Sequence, residues 1–457
     1  MTTIEGLAPA TGERRPRPRV GPLAGIRVAD FCWMGVGAVA TRMLADFGAE
    51  VIKIEARDRL DMPRRLPIYK DEVRSYGEED PNPDPNKGGL FNNYSRNKLG
   101  VTINMKSGRG QQLVRELIAA SSVVTENFAP GVMEKWGLTY QALTKINPEV
   151  ILARMSGFGH SGPHHRYKSY GPVVQAVSGL SFISGLPGRE PSGWGLSYMD
   201  NQAAYHNSAA VLMAIMRRNL TGKGQEIDVS AVEAGINMIG PDLLDVSVNG
   251  VATRRPDYPA GNRLLESDAA PHGVYPAAGT DTWVAIAVTG EDQWERLVTA
   301  LGEPEWTRRP EFATAAQRRA HQDELDAHLS DWTVARTAHD TMHYLQEAGV
   351  PAAAVQNSRD LAETDPQIAH RGTFFELDHP VIGPAEFEGT PIRFGRTVQD
   401  LERAIRGRVS FVLRFGQALL PESKTIVQAD DVVYVALPSG QVGEAVAVAA
   451  EPPVKED

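Results

Sequence analysis

The turn after the first strand-like segment carries small residues at the spacing of a phosphate-binding loop. Gly35, Gly37 and Ala40 form a G-x-G-x-x-A pattern, and Glu55 follows 20 residues after Gly35. Such glycines let a pyrophosphate approach a helix N-terminus, and a carboxylate at that distance can meet a ribose. Taken alone, the pattern predicts a dinucleotide site. Small residues also occur where a helix only packs closely on a strand, so both interpretations stay open.

Asp200 is the carboxylate whose surroundings best suit a nucleophile. It ends the segment Trp194–Asp200 and comes directly before a helix predicted from about Gln202 to Arg218. A carboxylate in that place is most simply the N-terminal cap of the helix. The free helical N–H groups also keep such a carboxylate ionised and aimed, and the preceding glycine and aromatic residues can exclude water. Asp200 is therefore predicted to cap the helix, to act as a nucleophile, or to do both.

Other reactive residue types lack the partners they need. His160, His164 and His165 lie in a loop rich in Gly, Pro and Ser with no acidic or thiol residue nearby in sequence, so a solvated loop is favoured over a metal site. The chain has no G-x-S-x-G elbow, which argues against a serine hydrolase. The single cysteine, Cys32, excludes internal disulfides and thiolate-built metal sites, and is expected to be a packed thiol. We therefore expect no metal.

Several cations follow the predicted strands, where a sheet of parallel strands receives its ligands. They are Arg57, Arg59, Arg96, Lys98 and Lys168. Solvated surface charge is the default role of each. Two or three that converge would hold a polyphosphate, because charge-assisted contacts are the strong ones.

Strands and helices that must position these residues alternate along the chain. The expected strands are Ile26–Phe31, Val51–Glu55, Val101–Asn104, Val123–Val124, Val150–Met155 and Glu226–Val229, and the expected helices include Val39–Phe47, Gly108–Ala120 and Tyr140–Ile146. Alternation of this kind predicts an α/β protein with a parallel, doubly wound sheet. One long helix is expected after the last of these strands.

The sequence also predicts how the chain divides into domains. A large domain over 21–250 is followed by a smaller α+β domain over 251–348, which a stretch rich in Pro, Arg and Gly introduces, and residues 349–400 return to the large domain. Short β signals at Val409–Leu413 and Val432–Ala436 predict a β-rich module over 405–445. Residues 1–20 are predicted to be a flexible leader, and 446–457 a disordered tail.

Composition limits the partners of the protein. Its 457 residues, 42% of them hydrophobic, suffice for two or three domains with real cores. The net charge of −10, with Lys and Arg scattered, offers no basic face for nucleic acid. The longest apolar stretch, near Ala209–Met216, is far shorter than the roughly 20 residues that span a bilayer. Without a secretory signal, and with one cysteine, the expected location is the cytoplasm.

Eight segments resemble, in order and spacing, the class III coenzyme A-transferase family, which includes formyl-CoA transferase and carnitine CoA-transferase. They are Gly21–Gly25, Leu44–Glu55, Arg96–Lys98, Glu126–Val132, Ser156–Gly159, Thr221–Gln225, Ala270–Tyr275 and Ala348–Pro351. The resemblance runs from about Gly21 to Arg396. It implies a Rossmann-like large domain built from both ends of this region, a smaller domain between them, and an interlocked homodimer.

The resemblance also implies roles for individual residues. By position, Asp200 matches the nucleophile of the family. The turn after the first strand is expected to approach coenzyme A rather than a nicotinamide, so a CoA thioester is a substrate and no tightly bound cofactor is implied. Backbone N–H groups near Gly261 and Asn262, or of the Asp200 helix, are expected to hold an oxyanion. The residues expected near CoA are Met34, Gly35, Val36, Gly37, Arg57, Arg96, Lys98 and Lys168.

The chain departs from its relatives at positions that bear on the substrate. Gly35 replaces the Gln of formyl-CoA transferase, and Leu99 replaces an arginine that often follows the Asn-Lys pair, so the substrates of that enzyme cannot be carried over. The α-methylacyl-CoA racemase branch has a His-Asp pair where this chain has Tyr170-Gly171, which disfavours racemisation by paired acid and base. Trp194 and Tyr198 favour a bulky or aromatic acid.

The last fifty residues leave the family pattern. Arg414–Gly416 through Pro421, followed by Asp430–Val435, resembles part of the C-terminal regulatory domain of potassium-uptake proteins. This segment is either a fused module or a replacement tail.

Taken together, the sequence predicts an enzyme that moves CoA from an acyl-CoA to a free carboxylic acid through an aspartyl mixed anhydride and an aspartyl thioester. Two alternatives stay open. One is a catalytically silent CoA-binding subunit of a heteromeric transferase, and the other is an isomerase or lyase that acts on a CoA thioester.

Overall fold

A computed structural model describes residues 21–66, 68–70, 84–185, 189–251, 261–264, 269–392, 396–397, 401–402, 408–414, 417–422, 426–427 and 432–436. They form two compact units. The first combines the described residues within Met1–Lys168, Met199–Ala234 and Glu376–Asp457, and the second those within Ser169–Tyr198 and Gly235–Phe375. The segment 169–198, which the sequence did not separate from the large domain, groups with the second unit. The predicted leader, the C-terminal tail and residues Arg393–Phe394 lie outside the described residues.

A six-stranded parallel sheet forms the centre of the first unit. Its strands are β1 (Arg27–Asp30), β2 (Glu50–Glu55), β3 (Leu99–Thr102), β4 (Val123–Glu126), β5 (Ile151–Ser156) and β6 (Glu226–Ser230). They lie in the order 3-2-1-4-5-6, and every neighbouring pair is parallel. This is a doubly wound order that reverses between β1 and β4, the place where such sheets bind ligands. The predicted α/β class with a parallel sheet is confirmed.

Both faces of the sheet are covered, which explains why its strands are nearly continuous apolar runs. Val28, Val123 and Ile151 belong to one buried cluster, whereas Ala29, Val124 and Leu152 belong to the other. Neighbouring residues of a strand thus point to opposite faces. In chain order, the helices from Met34 to Ile236 are α1 (Met34–Asp46), α2 (Gly89–Ser95), α3 (Gly108–Ala119), α4 (Val132–Lys135), α5 (Tyr140–Ile146), α6 (Gly171–Val177), α7 (Leu180–Ile183), α8 (Tyr198–Thr221) and α9 (Ala231–Ile236).

The predictions made from the sequence were least accurate at the helix boundaries. Helix α1 begins at Met34 rather than near Val39, and α8 begins at Tyr198 rather than at Gln202. The single long helix expected after β6 is divided by a 3-10 turn at Asn237–Ile239, after which α10 covers Gly240–Asn249. Gly240 and the proline after it start a new helix more readily than they continue an old one.

The second unit is an α+β structure, as predicted. Its antiparallel sheet contains β7 (His272–Pro276), β8 (Trp283–Ala287) and β9 (Ala352–Ala354). The helices that follow α10 are α11 (Glu291–Ala300), α12 (Ala315–Ala320), α13 (Gln322–Thr333), α14 (Ala338–Glu347) and α15 (Pro366–His370). One buried cluster, which includes Trp294, Leu297 and Leu325, forms its core.

Short antiparallel strands end the described chain. β10 (Phe374–His379) pairs with β11 (Gly383–Glu388), and β12 (Arg396–Thr397) with β15 (Ile426–Val427). β13 (Arg408–Arg414) lies between β14 (Gln417–Leu419) and β16 (Val432–Ala436). The expected β-rich element is therefore present. Among the described helices, none is both long and apolar enough to cross a membrane.

Candidate active site

The turn that joins β1 to α1 is fixed by side chains that follow β2 and β4, the two strands on either side of β1. The backbone N–H of Trp33 donates to Asn127 Oδ1 at 2.8 Å, and Asn127 Nδ2 donates to the Trp33 carbonyl at 2.7 Å. The N–H of Met34, which has a positive φ of 58°, donates to the buried carboxylate of Asp61 at 2.9 Å. Asn127 follows β4 and Asp61 follows β2, so the N-terminus of α1 is held at the point where the strand order reverses.

Asp200 lies directly against this helix start. A Cβ atom built on Gly35 would lie 2.5 Å from Asp200 Oδ2 and 2.8 Å from its Cγ. Any other residue at position 35 would therefore occupy the space of the carboxylate. Gly37 has a different role, because its Cβ would meet the side chains of Cys32 and Asn127 at 2.6 and 2.9 Å. Of the two glycines in the sequence pattern, one makes room for Asp200 and the other lets the turn pack.

Within the described part of the chain, no group compensates the burial of the Asp200 carboxyl group. Burial alone raises its pKa to about 6 from an ordinary 3.8. Among the described residues, none donates a hydrogen bond to it or forms an ion pair with it. The expected capping role is wrong, because α8 begins two residues earlier and Asp200 lies inside its first turn. A half-buried carboxylate without donors keeps both oxygens available for chemistry.

Tyr94 on α2 belongs to the same neighbourhood. Burial raises the pKa of its phenol, the carboxylate of Asp200 raises it further, and Arg42 acts in the opposite direction. Arg42 Nη1 donates to Asn93 Oδ1 at 2.8 Å and to Glu388 Oε1 at 2.9 Å. Sequence reasoning missed Tyr94, because the long polar stretch before it was interpreted as loop. Its position shortly before the Arg96–Lys98 motif is the one available signal.

Two of the cations predicted near CoA are used inside the protein. The Lys98 ammonium group is buried, lies 3.3 Å from Asp30 Oδ2 and donates to Thr41 Oγ1 at 2.8 Å. Arg96 Nη2 donates to Asp46 Oδ2 at 2.9 Å. Thr41 and Asp46 are residues of α1. These contacts fit a role in holding α1 in place better than direct contact with a phosphate.

The other predicted cations face solvent. Arg57 and Lys168 are exposed and have no ion pair among the described residues. Arg59 is also exposed, and its guanidinium carbon lies 5.5 Å from the centre of the Trp33 ring. Arg57 and Arg59 follow β2, and Lys168 lies in the chain that follows β5. These side chains are available to an anionic ligand.

Glu55, the ribose ligand of the dinucleotide interpretation, is already occupied. Its carboxylate accepts from Arg64 Nη2 at 2.6 Å and from the N–H of Asp61 at 2.8 Å. Burial raises the pKa of Glu55, but the hydrogen bonds outweigh it, and the pKa is lowered overall. The carboxylate at the end of β2 thus has a structural partner, which disfavours a dinucleotide site.

The predicted oxyanion donors lie in the second unit. Gly261 has a positive φ of 66°, and the carbonyl of Asn262 accepts from His272 Nδ1. Both residues are exposed. Their role toward an oxyanion stays a prediction.

Most of the histidine loop is solvated, as the sequence favoured, since His164 is exposed and His165 is half-buried. His160 is the exception. The His160 side chain is 8% exposed and lies 3.5 Å from Glu126 Oε1, while its backbone N–H donates to Asp228. Burial, and then Arg154, lower its pKa to about 4. The acidic neighbours come from other strands and are distant in sequence. No group of three or more metal-ligand residues occurs in the part of the chain that the structure describes. Cys32 is a buried free thiol, as expected.

Comparison with known proteins gives a consistent result. A family model described as CoA-transferase family III matches residues 23–405. Succinyl-CoA–D-citramalate CoA-transferase from Chloroflexus aurantiacus is 30% identical over 387 residues, which cover 85% of this chain and 90% of that protein. Formyl-CoA:oxalate CoA-transferase from Escherichia coli is 29% identical over 400 residues, which cover 84% of this chain and 92% of that protein.

A solved structure agrees with these sequence matches. The crystal structure of a CAIB/BAIF family protein from Brucella suis superimposes with a TM-score of 0.72 at 28% identity, covering 89% of this chain and 96% of that one. The family match ends at residue 405, so the strands from Arg408 onward lie outside it.

Proposed function

Because the chain belongs to CoA-transferase family III, we propose that it moves coenzyme A from an acyl-CoA donor to a free carboxylic acid, with the carboxylate of Asp200 as the nucleophile. Relatives named as CoA-transferases support the general activity. The observation that carries the proposal is the position of Asp200, which belongs to the first turn of α8 and lies against the first turn of α1. Its carboxylate has no donor or ion-pair partner among the described residues, and burial raises its pKa to about 6.

In the proposed reaction, one Asp200 oxygen attacks the thioester carbonyl carbon of the donor. The C–S bond breaks, which gives a mixed anhydride and CoA thiolate. The thiolate then attacks the Asp200 carbonyl carbon, releasing the donor acid as its carboxylate and leaving an aspartyl-CoA thioester. The acceptor carboxylate repeats these two steps in reverse order, so that CoA leaves on the acceptor and Asp200 is regenerated. Each step exchanges one acyl bond for a similar one, and no oxidant or net proton is needed.

The surroundings of Asp200 suit this chemistry. With a pKa of about 6, most of the carboxyl group is ionised at pH 7. A half-buried carboxylate is poorly hydrated, so less water has to be removed before it attacks. The N-terminus of α1, against which Asp200 lies, carries partial positive charge that favours an anion.

We assign CoA to the start of α1 and to the exposed cations. The backbone of Met34, Gly35, Val36 and Gly37 is proposed to approach the ligand. Arg57 and Lys168 are proposed to contact its phosphates, since both are exposed and unpaired in the described part of the chain. Arg96 and Lys98 contribute indirectly, by holding α1. Gly261 and Asn262 remain the proposed backbone donors to an oxyanion.

The acids on either side of the transfer are proposed more broadly. The names of two relatives give carboxylic acids for those proteins: succinate and citramalate in one, formate and oxalate in the other. In this chain Trp194 and Tyr198 lie against each other, with ring centres 4.7 Å apart. Because Tyr198 lies two residues before Asp200 and Trp194 six, this aromatic pair supports a bulky or aromatic acid. An interlocked homodimer in the cytoplasm is the proposed state of the enzyme.

A screen with the single purified chain tests the proposal. Pairs of acyl-CoA donors and carboxylic acids are incubated with the protein, and new acyl-CoA species are detected by mass spectrometry. The proposal predicts a new thioester that appears only when donor and acceptor are both present. A product that forms without an acceptor would instead indicate an isomerase or lyase. Binding of CoA without turnover of any pair would indicate a silent subunit.

A further inference from the structure

We propose that Asp61 is a positioning residue of this site. Its buried carboxylate fixes the backbone of Met34, and through Met34 it places Gly35 against the carboxylate of Asp200. This inference rests on the proposed function, in which Asp200 reacts. Asp61 acts through the turn between β1 and α1 and touches neither the substrate nor the reacting atoms. Sequence reasoning gave it no role.

The backbone of Met34, the first residue of α1, has an uncommon conformation. Its φ is 58°, in the left-handed region that favours glycine. Because Met34 carries a side chain, this conformation is unfavourable by itself and persists where the surrounding structure holds it. A contact that stabilises the conformation of Met34 therefore determines where the next residue, Gly35, lies.

Asp61 makes such a contact with one of its two carboxylate oxygens. The N–H of Met34 donates to Asp61 Oδ1 at 2.9 Å. The other oxygen, Oδ2, lies 2.8 Å from Lys53 Nζ, and both side chains of this ion pair are 2% exposed. The carboxylate cannot turn away from Met34 without losing a buried contact, so its orientation is defined.

Lys53 extends the same connection to the other end of the turn. Its Nζ donates to the carbonyl of Cys32, two residues before Met34, at 2.7 Å. Asp61 is itself attached to β2, because its backbone N–H donates to Glu55 Oε1 at 2.8 Å. The ion pair thus connects β2 to the turn on both sides of Trp33.

The middle of the turn is held independently of Asp61. Asn127, which follows β4, exchanges two hydrogen bonds with the backbone of Trp33, at 2.8 and 2.7 Å. Without Asp61, Trp33 keeps these contacts, whereas Met34 loses the acceptor of its N–H. The Asp61 contact therefore determines the position of Gly35 rather than the existence of the turn.

The position of Gly35 matters because the Asp200 carboxylate packs directly on it. A Cβ atom on Gly35 would lie 2.5 Å from Asp200 Oδ2, so there is no space between this backbone and the carboxylate. When Met34 relaxes to a negative φ, the surface on which the carboxylate packs moves with it. A displacement of about 1 Å at a reacting group reduces turnover by roughly 100-fold.

Two double variants test the role of the Asp61 oxygen without leaving a buried charge unpaired. Lys53→Met/Asp61→Asn keeps an oxygen that can accept from the N–H of Met34, and Lys53→Met/Asp61→Leu has none. For the asparagine variant, kcat should stay within about tenfold of the wild type. For the leucine variant, kcat and the rate at which the CoA adduct forms on Asp200 should both be lower by a further factor of roughly 100. If the leucine variant does not fold, Lys53→Met/Asp61→Ala takes its place with the same expected result.

A third change distinguishes positioning from a general loss of stability. Glycine adopts a positive φ without the steric cost of a side chain, so adding Met34→Gly to the leucine variant should restore kcat by about tenfold. Val36→Gly in the same background is the control, and it should restore nothing, because no positive φ is found at Val36. Equal kcat values in the asparagine and leucine variants, or no recovery with Met34→Gly, would overturn the inference. A wild-type protein that forms no CoA adduct on Asp200 would overturn the proposed function, and this inference with it.

Discussion

Asp30 and Asp200 are carboxyl groups beside the same helix, and their surroundings are opposite. Asp30 accepts from the N–H of Cys32 at 2.9 Å and from Thr41 Oγ1 at 2.8 Å, and Lys98 lies 3.3 Å away. Burial raises the pKa of Asp30, but Lys98, Lys53 and the hydrogen bonds outweigh it, so the pKa is lowered. Asp200 has no such partners among the residues that the structure describes, and burial raises its pKa to about 6.

The difference in hydrogen-bond partners distinguishes a carboxylate that stabilises the fold from one that is available to react. The oxygens of a fully paired carboxylate such as Asp30 are occupied by contacts within the fold. Such a carboxylate contributes to stability, and removing it lowers the free energy of unfolding. A carboxylate that the fold leaves unpaired is less stable in place, and it is free to form a bond. Asp61, paired with Lys53 at 2.8 Å, belongs to the first kind.

The largest expected effect comes from removing the unpaired carboxylate. Asp200→Asn should lower kcat by roughly four orders of magnitude or more, because an amide does not act as the nucleophile. The same variant should be more stable than the wild type at pH 7, by about 1–3 kcal/mol, since it no longer holds a poorly solvated charge. Turnover assays and urea unfolding check the two halves. A variant that keeps a tenth of the activity would contradict the assignment.

A change that removes the partner of the paired carboxylate, Asp30, should lower stability rather than raise it. Lys98→Ala leaves the buried carboxylate of Asp30 without its cation, so the free energy of unfolding should fall by about 3–5 kcal/mol. The matched control is Lys106→Ala, because Lys106 and Asp58 form an ion pair that is largely exposed. That change should cost less than about 1 kcal/mol. Equal losses in the two variants, measured by urea unfolding, would show that burial of the pair does not matter.

An intermediate effect is expected at the glycine beneath Asp200. In Gly35→Ala the new methyl group would lie within 2.5 Å of Asp200 Oδ2, so the carboxylate must move. A displacement of about 1 Å at a reacting group reduces turnover by roughly 100-fold. Gly100→Ala in β3 is the control, since its Cβ would meet nothing within 4 Å. Near wild-type kcat in Gly35→Ala would mean that the carboxylate does not need its present position.

The smallest effect is the response to pH. In the proposed mechanism Asp200 attacks in its ionised form. With a pKa of about 6 for this group, kcat/KM should fall by about tenfold between pH 7 and pH 5. Stability should respond in the other direction. The folded protein binds this proton more tightly than the unfolded chain, whose carboxyl pKa is near 3.8, so the contribution of Asp200 is favourable at low pH and lost as pH rises through 6.

Rate profiles for a donor acid that does not titrate in this range provide the measurement. A kcat/KM that stays constant down to pH 4.5 would indicate an attacking group with an ordinary pKa.

The sequence predicted the parallel sheet correctly, and it predicted the contacts around the sheet less well. Apolar runs such as Val150–Met155 alternate with amphipathic segments, and that alternation specifies a parallel sheet whatever the distant contacts are. It does not reveal that Lys98 pairs with Asp30, which lies 68 residues earlier. A lysine in a motif looks the same whether it binds a ligand or the protein.

Two further features depended on tertiary structure. Gly35 could be recognised as part of a loop pattern. Its packing against the Asp200 carboxylate could not be predicted, because α8 follows more than 150 residues later. Tyr94 lies in a short helix within a segment rich in Pro, Asn and Asp, where helix propensity is low and the contacts with Arg42 and Glu388 decide the structure.

The central claim is that coenzyme A becomes covalently attached to Asp200, and trapping the intermediate tests it most directly. The purified chain is mixed with an acyl-CoA alone, and its mass is measured before and after treatment with hydroxylamine. The account predicts a CoA adduct that hydroxylamine converts to a hydroxamate on the peptide containing Asp200, and no adduct on the Asp200→Asn variant. A hydroxamate at another residue, or an adduct that persists in the variant, would contradict it.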